Sequence, residues 1–327
     1  MNIPSDQTVL RAVEGQSSMI SVFIDGSSGT TGLRIRERLA ERPDIRLIQL
    51  DEAHRKNPAA RQDALNSADA AFLCLPDDAA REAVGLLNGS GTVVIDTSTA
   101  HRTHPDWAYG FPELKGQREL IRSAQRIANP GCHASGFIAL AAPLVAEGAL
   151  PRDARLSCFS LTGYSGGGKK MIAEYEAPDR DPLLASPRQY GLGQAHKHLP
   201  EMQLICGLDS APLFSPIVAP YYAGMEVTVP LFADQLRISP SALPDLYRSY
   251  YTEGLVRYTG NSEGGFCAAG KLAGRDDMEI TVAGNGERVL LIARFDNLGK
   301  GASGAAIQNM NIRFGLPEAA GLCGEDL

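Results

Sequence analysis

The 327-residue sequence lacks the patterns that mark several large classes of protein. Its net charge is −7 and it has no long run of lysine or arginine, so it lacks the basic surface that nucleic acid or an anionic membrane would require. The longest apolar stretch, residues 137–146, contains Pro143 and is far shorter than the ~20 residues of a membrane-spanning helix. We therefore expect neither a nucleic-acid partner nor a membrane partner.

The six cysteines form no C-x-x-C pair, which argues against a cysteine zinc site and against a small disulfide framework. The first 18 residues include Asp6 and Glu14 and lack the apolar core of a secretory signal. We expect residues 1–18 to be a flexible leader, and the protein to be cytoplasmic. The length predicts two domains of about 100–200 residues each.

Glycine is in excess, and the 34 glycines concentrate in a few clusters. Segments typical of strands and helices alternate from Met19 to about residue 98, and the strands are apolar on both faces. This pattern predicts an α/β fold with a doubly wound, parallel-sheet dinucleotide-binding domain. We place this domain at residues 19–131, completed by a C-terminal helix within residues 300–327.

The pattern changes after Pro130. A helix is predicted from Cys132 to about Glu147, where Gly148 stops it, and β-rich segments follow. Residues 132–299 are therefore predicted to form a separate α+β catalytic and substrate domain.

The first glycine cluster, residues 26–32, lies between a predicted strand and a predicted helix. Its backbone amides and the helix N-terminus would face a pyrophosphate, although the spacing G-x-x-G-x-x-G is a variant of the common G-x-G-x-x-G. An ordinary glycine-rich turn is the alternative. The candidate cofactor-binding residues here are Gly26, Ser28, Gly29, Thr30, Thr31 and Gly32.

A charged turn, residues 51–56, follows the second predicted strand. Asp51 would hydrogen-bond a ribose hydroxyl, whereas Arg55 or Lys56 would hold a 2′-phosphate. The residues alone leave the choice between NAD and NADP open, and a solvated turn is also possible.

Cys132 is predicted to begin a helix directly after Pro130 and Gly131. Free amides and the positive end of the helix dipole stabilise a thiolate at such a position. Cys132 is therefore the candidate nucleophile, with a buried inert thiol as the alternative. The other five cysteines lie in apolar strand-like runs or loops and are interpreted as structural.

His196 is the candidate acid/base partner of Cys132, and His198 or Glu201 would orient it. Two histidines at this spacing also suggest a metal site, but no third ligand follows, so no metal is predicted. A surface loop with incidental histidines remains the alternative.

Two cationic groups are candidates for binding an anionic substrate. Lys169 and Lys170 follow three glycines and would be presented by a mobile loop that does not match the ATP-binding pattern. Arg102 follows a predicted buried strand, where it would hold a phosphate or carboxylate or pair with a local acid.

Six motifs in this order closely resemble those of the N-acetyl-gamma-glutamyl-phosphate reductases, in particular their shorter second type. They are GSSGTTG, STAHR, ANPGCHASG, GYSGGGKK, HKHLPEM and KGASGAAIQN, and the resemblance extends from Ile20 to Phe314. It implies that the second domain is a catalytic and dimerisation domain of the semialdehyde-dehydrogenase kind. It also implies NADPH-dependent reduction of an acyl phosphate to an aldehyde in arginine biosynthesis.

The resemblance assigns the nucleophile to Cys132 and the acid/base histidine to His196, which His198 and Glu201 support. It assigns phosphate binding to Arg102, places Asn309 near the nicotinamide, and favours NADP(H), held by Arg55 or Lys56. The expected partners are a small-molecule acyl phosphate, inorganic phosphate, and further copies of the chain in a dimer or tetramer.

Three alternatives stay open at this point. The first is another acyl-phosphate reductase. It would resemble aspartate-semialdehyde dehydrogenase in its activity, or it would act on a carrier-linked aminoadipyl phosphate. A thiol hydrolase that uses Cys132 and His196 and is regulated by nucleotide belongs to a different class, as does a non-catalytic nucleotide sensor.

Overall fold

Two β-sheets organise the residues described by a computed structural model, 19–260 and 263–324. The predicted leader, residues 1–18, and the last three residues of the predicted C-terminal segment lie outside this range. No helix within the described range combines the length and the apolar character needed to cross a bilayer.

The first sheet has the strand order β2-β1-β3-β4-β6-β5, and every pairing in it is parallel. Its strands are β1 (Ile20–Asp25), β2 (Ile45–Ile48), β3 (Ala70–Leu73), β4 (Val93–Asp96), β5 (Ala108–Tyr109) and β6 (Arg126–Ala128). The accompanying helices are α1 (Thr30–Ala40), α2 (Pro58–Ser67), α3 (Asp77–Gly85), α4 (Gln117–Ser123) and, from the far end of the chain, α9 (Gly304–Phe314).

Helices cover both faces of this sheet because its strands are apolar on both sides. Val22 and Ile24 of β1 pack in one apolar layer with residues of α1, α4 and α9. Phe23, which points to the opposite face, packs with Leu65 of α2 and Ala80 of α3. The predicted doubly wound parallel sheet is confirmed.

The C-terminal segment returns to the first sheet. After a π-helical turn, Gly299–Ser303, helix α9 contributes Ala306, Ile307 and Met310 to the layer that contains α1. This packing agrees with a dinucleotide-binding domain completed by the chain end, while the exact domain boundaries stay a prediction.

The second sheet is mixed and has the strand order β11-β12-β13-β10-β7-β9-β8. Its strands are β7 (Ser157–Gly163), β8 (Arg188–Gln189), β9 (Leu213–Ala219), β10 (Met225–Phe232), β11 (Val256–Tyr258), β12 (Met278–Gly284) and β13 (Arg288–Phe295). The helices of this half are α5 (Cys132–Ala146), α6 (Gly168–Glu176), α7 (Leu199–Cys206) and α8 (Leu243–Tyr250).

Helix α5 is the centre of the second half. It begins at Cys132 as predicted and ends one residue before the predicted Glu147. It is buried over most of its length and packs on the second sheet. Gly136 allows this approach, because a Cβ there would lie 2.4 Å from Cγ2 of Val227 in β10.

A buried ion pair joins the C-terminal segment to the rest of the chain. Nζ of Lys300 lies 2.7 and 2.8 Å from the two carboxylate oxygens of Glu113, which follows β5. The backbone N–H of Leu255, at the start of the β11 segment, donates to the same carboxylate. Burial would raise the pKa of Glu113, but Lys300 and the hydrogen bonds hold that pKa below its ordinary 4.5.

We expect Lys300→Met to lower the free energy of unfolding by about 3–5 kcal/mol at pH 7, because it leaves Glu113 buried without a counter-charge. The folded-state pKa of Glu113 is depressed, so this contribution is complete above pH 4.5 and is lost as the pH falls through the folded value. Urea denaturation at pH 7 and at lower pH measures both effects.

The matched control is Arg81→Met, which breaks an exposed pair with Asp78 and should cost less than about 1 kcal/mol. A loss for Lys300→Met no greater than that of the control would show that the Glu113–Lys300 pair does not stabilise the fold.

Candidate active site

A cavity of about 540 Å³ is lined by residues from both halves of the chain. It brings together four of the predicted site residues, Arg102, Cys132, His196 and His198, with the second half of the glycine cluster. The cluster residues in its wall are Gly29, Thr30, Thr31 and Gly32. Residues that are far apart in the sequence therefore surround one space that is large enough for a small substrate.

Cys132 is the first residue of α5, after an extended Gly131 that caps the helix. Gly131 has no room for a side chain, since a Cβ there would lie 2.3 Å from Nη1 of Arg102 and 2.5 Å from Nε2 of His198. On its other side, Cys132 is contacted by the π-helical turn, where a Cβ on Gly301 would lie 3.0 Å from Cβ of Cys132. Close backbone packing thus holds the thiol at the cavity wall.

Burial of Cys132 opposes the stabilisation of a thiolate that the helix start was expected to provide. Burial raises the pKa of the Cys132 thiol above its ordinary 9.0, and the nearby Glu201 raises it further. Arg102, the backbone N–H of His133 and Lys197 lower the pKa but offset the burial only in part. Cys132 therefore carries its proton at neutral pH and needs a base to become a nucleophile.

The two histidines of the HKHLPE motif are neutral bases at this cavity. Burial lowers the pKa of His196 below 6.5, and the cations Lys197 and Arg102 lower it further. Burial and Arg102 lower the pKa of His198 well below 6.5. The His196 and His198 rings lie edge to face with their centroids 4.7 Å apart, so His198 packs directly against the candidate acid/base.

The hydrogen bonds of Glu201 go to groups other than His196, and one of its carboxylate oxygens lies 4.0 Å from Nε2 of His198. Its carboxylate accepts hydrogen bonds from Nη1 of Arg102 at 2.8 Å, from the Tyr109 hydroxyl at 2.8 Å and from the Gly131 backbone N–H at 3.2 Å. The carboxylate is 1% exposed, and it uses its oxygens on these three donors. Glu201 therefore fixes Arg102 and the residue before Cys132.

Arg102 has the local acid partner that was one of the two alternatives for it. It pairs with Glu201, and its other donors include Nε to the Asn129 carbonyl at 3.0 Å and Nη2 to the Thr97 carbonyl at 3.0 Å. It also lines the cavity. A guanidinium has five N–H groups, so two remain for an anion after these three bonds.

The lysines predicted to bind substrate lie elsewhere. Lys169 and Lys170 are exposed in the first turn of α6, and neither lines the cavity, although Gly166, Gly167 and Gly168 do. The predicted mobile loop is thus a short 3-10 turn that leads into a helix. Lys197, between the two histidines, lines the cavity instead.

A second cavity of about 350 Å³ lies on the other side of the glycine cluster. Gly26 and Ser28 line it, together with Arg55 and Lys56 of the charged turn and Arg36 of α1. Gly26 has a φ of +85°, and a Cβ there would lie 2.2 Å from the carbonyl oxygen of Cys74, at the end of β3. This glycine cradle lies between β1 and β3, where the strand order reverses and α/β sheets bind dinucleotides.

The charged turn favours a phosphate over a ribose hydroxyl at this cavity. The Asp51 carboxylate accepts from the backbone N–H of His54 and contacts its ring at 2.7 Å, and Asp51 is not part of the cavity wall. Arg55 lines the cavity but pairs with Glu52 at 2.5 Å. Arg36 is half-buried in the wall and has no ion-pair partner in residues 19–260 and 263–324.

Asn309 does not reach either cavity. It is fully buried in α9, where Nδ2 donates to the Gly110 carbonyl at 2.9 Å and to Oδ1 of Asn129 at 3.2 Å. Asn129 lines the larger cavity, so Asn309 contacts a residue of the cavity wall without reaching the cavity itself.

Sequence reasoning missed five residues of these cavities and their supports: Arg36, Tyr109, His133, Tyr190 and Lys197. Lys197 lies inside a motif that was already recognised, so its position beside the histidines was a usable signal. Tyr109 and Tyr190 stand in segments without a motif. Within the part of the chain that the structure describes, no group of three histidine, cysteine or acidic side chains is arranged to hold a metal ion.

Two family descriptions match the chain. "Semialdehyde dehydrogenase, NAD binding domain" matches residues 21–124, and "Semialdehyde dehydrogenase, dimerisation domain" matches residues 132–297. Among solved structures, aspartate semialdehyde dehydrogenase II complexed with ASA from Vibrio cholerae has a TM-score of 0.69 at 17% identity, covering 90% of this chain and 98% of that one. Aspartate semialdehyde dehydrogenase with NADP from Candida albicans has a TM-score of 0.63 at 14% identity, with the same coverage. These likenesses show the fold.

Curated relatives are much more similar in sequence. Proteins named N-acetyl-gamma-glutamyl-phosphate reductase from Brucella ovis and Brucella suis are each 50% identical over 305 residues, which covers 90% of this chain and 98% of theirs. The chain therefore belongs to the N-acetyl-gamma-glutamyl-phosphate reductase family, and its two halves are the two domains of the semialdehyde dehydrogenase fold.

Proposed function

We propose that this chain is an NADPH-dependent oxidoreductase that reduces N-acetyl-L-glutamyl 5-phosphate to N-acetyl-L-glutamate 5-semialdehyde, reversibly, in arginine biosynthesis. The observation that carries the proposal is the single cavity in which Cys132 and His196 face the glycine cluster of a dinucleotide-binding sheet. Family membership supports the substrate. The fold likeness to aspartate semialdehyde dehydrogenases does not favour that substrate, because it extends to the fold alone.

Cys132 begins the reaction as a protonated thiol. His196, neutral at pH 7, takes the thiol proton as the sulfur attacks the acyl carbon, and the bond from that carbon to the phosphate oxygen breaks. Inorganic phosphate leaves and a thioester remains on Cys132. Arg102 and Lys197 at the cavity wall provide positive charge for the phosphate.

The residues that would hold the cofactor are Gly26, Ser28 and Gly29 to Gly32 at the pyrophosphate, with Arg36, Arg55 and Lys56 toward the 2′-phosphate. When bound, the reduced nicotinamide supplies the hydride that the thioester carbonyl needs. The protonated His196 then gives its proton to the oxygen, and backbone N–H groups at the start of α5 stabilise the charge that develops there. The carbon–sulfur bond then breaks as the hydroxyl proton passes to the sulfur, which releases the aldehyde and restores the Cys132 thiol, while the departed phosphate takes one proton from water.

The acidic groups near the larger cavity support an N-acylated substrate. Asp77 lines the cavity, but its carboxylate already accepts from the backbone N–H and the hydroxyl of Thr99. Glu201 is bonded to Arg102, Tyr109 and Gly131. A free substrate amine would have to share Asp77 with the Thr99 donors and with the nearby positive charge of Lys197, whereas an acetylated nitrogen needs no carboxylate.

We also propose a cytoplasmic homo-oligomer, a dimer or tetramer. The match of residues 132–297 to a dimerisation domain supports assembly, and the absence of a disulfide within the described chain fits a reducing compartment.

The central experiment follows phosphate-dependent reduction of NADP⁺. We expect kcat/KM for N-acetylglutamate semialdehyde to exceed that for aspartate semialdehyde by about a hundredfold or more, because an unpaired buried ammonium costs upwards of ~3 kcal/mol. Cys132→Ala should abolish the reaction and retain NADPH binding. The control Cys206→Ala, which changes a buried thiol outside the cavity, should retain the activity. Comparable values for the two semialdehydes would reject the proposed substrate.

The raised pKa of Cys132 predicts its alkylation behaviour. The rate at which iodoacetamide modifies Cys132, followed by mass spectrometry of that peptide, should rise about tenfold per pH unit between pH 7 and pH 9, because only the thiolate reacts. The exposed Cys323 in the same digest is the reference for an ordinary thiol. A plateau near pH 7 would instead indicate a preformed thiolate–imidazolium pair.

Cofactor preference should depend mainly on Arg36. Arg36→Ala should raise KM for NADPH by about ten- to a hundredfold, the loss of one or two charge-assisted hydrogen bonds, and leave KM for NADH unchanged. Arg55→Ala should have a smaller effect because Glu52 already pairs with that guanidinium. Arg122→Ala, at an exposed pair on α4, is the charge-matched control. Equal effects on both cofactors would exclude Arg36 from 2′-phosphate recognition.

A further inference from the structure

His133 follows the nucleophile directly and has no part in the mechanism described above. It is 3% exposed, and both ring nitrogens have a hydroxyl partner. Nδ1 lies 2.6 Å from Oγ of Ser160 in β7, and Nε2 lies 2.7 Å from the hydroxyl of Tyr190. His133 and Tyr190 both line the larger cavity beside Cys132.

Burial lowers the pKa of His133 to about 3, and the neighbouring His196 adds to this effect. The ring is therefore neutral at physiological pH and carries one proton. Which nitrogen holds that proton decides the direction of both hydrogen bonds.

The Ser160 hydroxyl determines the direction of both hydrogen bonds. Its side chain is fully buried, and within residues 19–260 and 263–324 its hydroxyl has only Nδ1 of His133 as a hydrogen-bond partner. A proton on Nδ1 would leave the Ser160 hydrogen buried without an acceptor, which is unfavourable. Ser160 therefore donates to Nδ1, and the ring proton lies on Nε2, which donates to the oxygen of Tyr190.

The Tyr190 oxygen therefore accepts from His133, and the hydroxyl hydrogen of Tyr190 is not used in that bond. Tyr190 is half-buried, and its ring packs with its centroid 5.9 Å from that of His196. Burial raises the pKa of Tyr190, so the hydroxyl stays protonated, and Tyr190 lines the same cavity as Cys132.

We propose that Ser160 and His133 orient the Tyr190 hydroxyl so that it donates a hydrogen bond to an oxygen of the acyl substrate at Cys132. This inference rests on the proposed function. Tyr190 is then a substrate-binding residue, while His133 and Ser160 are positioning residues that act through it.

The test compares Tyr190→Phe, Ser160→Ala and the double variant in the phosphate-dependent assay. Tyr190→Phe should lower kcat/KM for N-acetylglutamate semialdehyde about three- to tenfold, the range for one neutral hydrogen bond, with KM for NADP⁺ unchanged. Ser160→Ala should lower kcat/KM by no more than this factor. Added to Tyr190→Phe, it should cause no further loss of kcat/KM. Tyr250→Phe, whose hydroxyl accepts from the Lys115 backbone outside both cavities, is the matched control.

Whether KM or kcat changes identifies the substrate group that accepts the hydrogen bond from Tyr190. A loss in KM assigns it to the acetamido or carboxylate end of the substrate, and a loss in kcat assigns it to the reacting carbonyl. Wild-type kcat/KM in Tyr190→Phe, or additive losses in the double variant, would overturn the proposal.

Nitrogen-15 NMR of the histidine rings gives a readout that does not depend on activity. The His133 signals should show the Nε2–H tautomer from pH 5 to pH 8, with a mixture of tautomers in Ser160→Ala; an Nδ1–H ring in the wild type would overturn the orientation argument. Failure of the proposed function is distinguishable, because wild-type protein would then give no phosphate-dependent NADP⁺ reduction whatever the tautomer.

Discussion

The active-site cavity depends on one buried carboxylate, that of Glu201 in α7. A carboxylate removed from water is tolerated only where donors replace the lost hydration. Glu201 obtains them from Arg102 and Tyr109 in the first half of the chain and from Gly131 at the start of α5. Because these donors come from three separate segments, the carboxylate is satisfied only when both halves of the chain are folded and packed together.

This arrangement also determines the state of the nucleophile. Arg102 lies close to Cys132, but its positive charge is compensated by Glu201, so it lowers the thiol pKa less than burial raises it. A protonated thiol beside neutral histidines is less open to alkylation and oxidation than a standing thiolate. Under the proposed mechanism the reactive anion forms only when a proton moves to the base, which would couple nucleophile formation to the acyl-transfer step.

Most of the architecture could be predicted from local patterns, because strands that are apolar on both faces and a helix start after Pro130-Gly131 are signals within a few residues. The sequence also singled out Cys132, His196 and Arg102, which line one cavity in the structure. It could not show that Glu201 pairs with a residue 99 positions away. Nor could it show that α6 begins at Gly168 and turns Lys169 and Lys170 to solvent, because such facts depend on packing between distant segments.

The glycine cluster explains how the two cavities serve one reaction. Its first residues, Gly26 to Ser28, line the smaller cavity with Arg36, and its last, Gly29 to Gly32, line the larger one with Cys132. A dinucleotide bound across this loop therefore has a cationic site at one end and the thiol at the other. Asp51 is held by His54 outside the wall, and Glu52 of the same turn competes for Arg55, whereas Arg36 is a cation of this wall without an ion-pair partner among the described residues. The sequence of this turn alone does not show which of its charged side chains line the cavity. The fold places Arg55 and Lys56 in the wall and leaves Asp51 outside it.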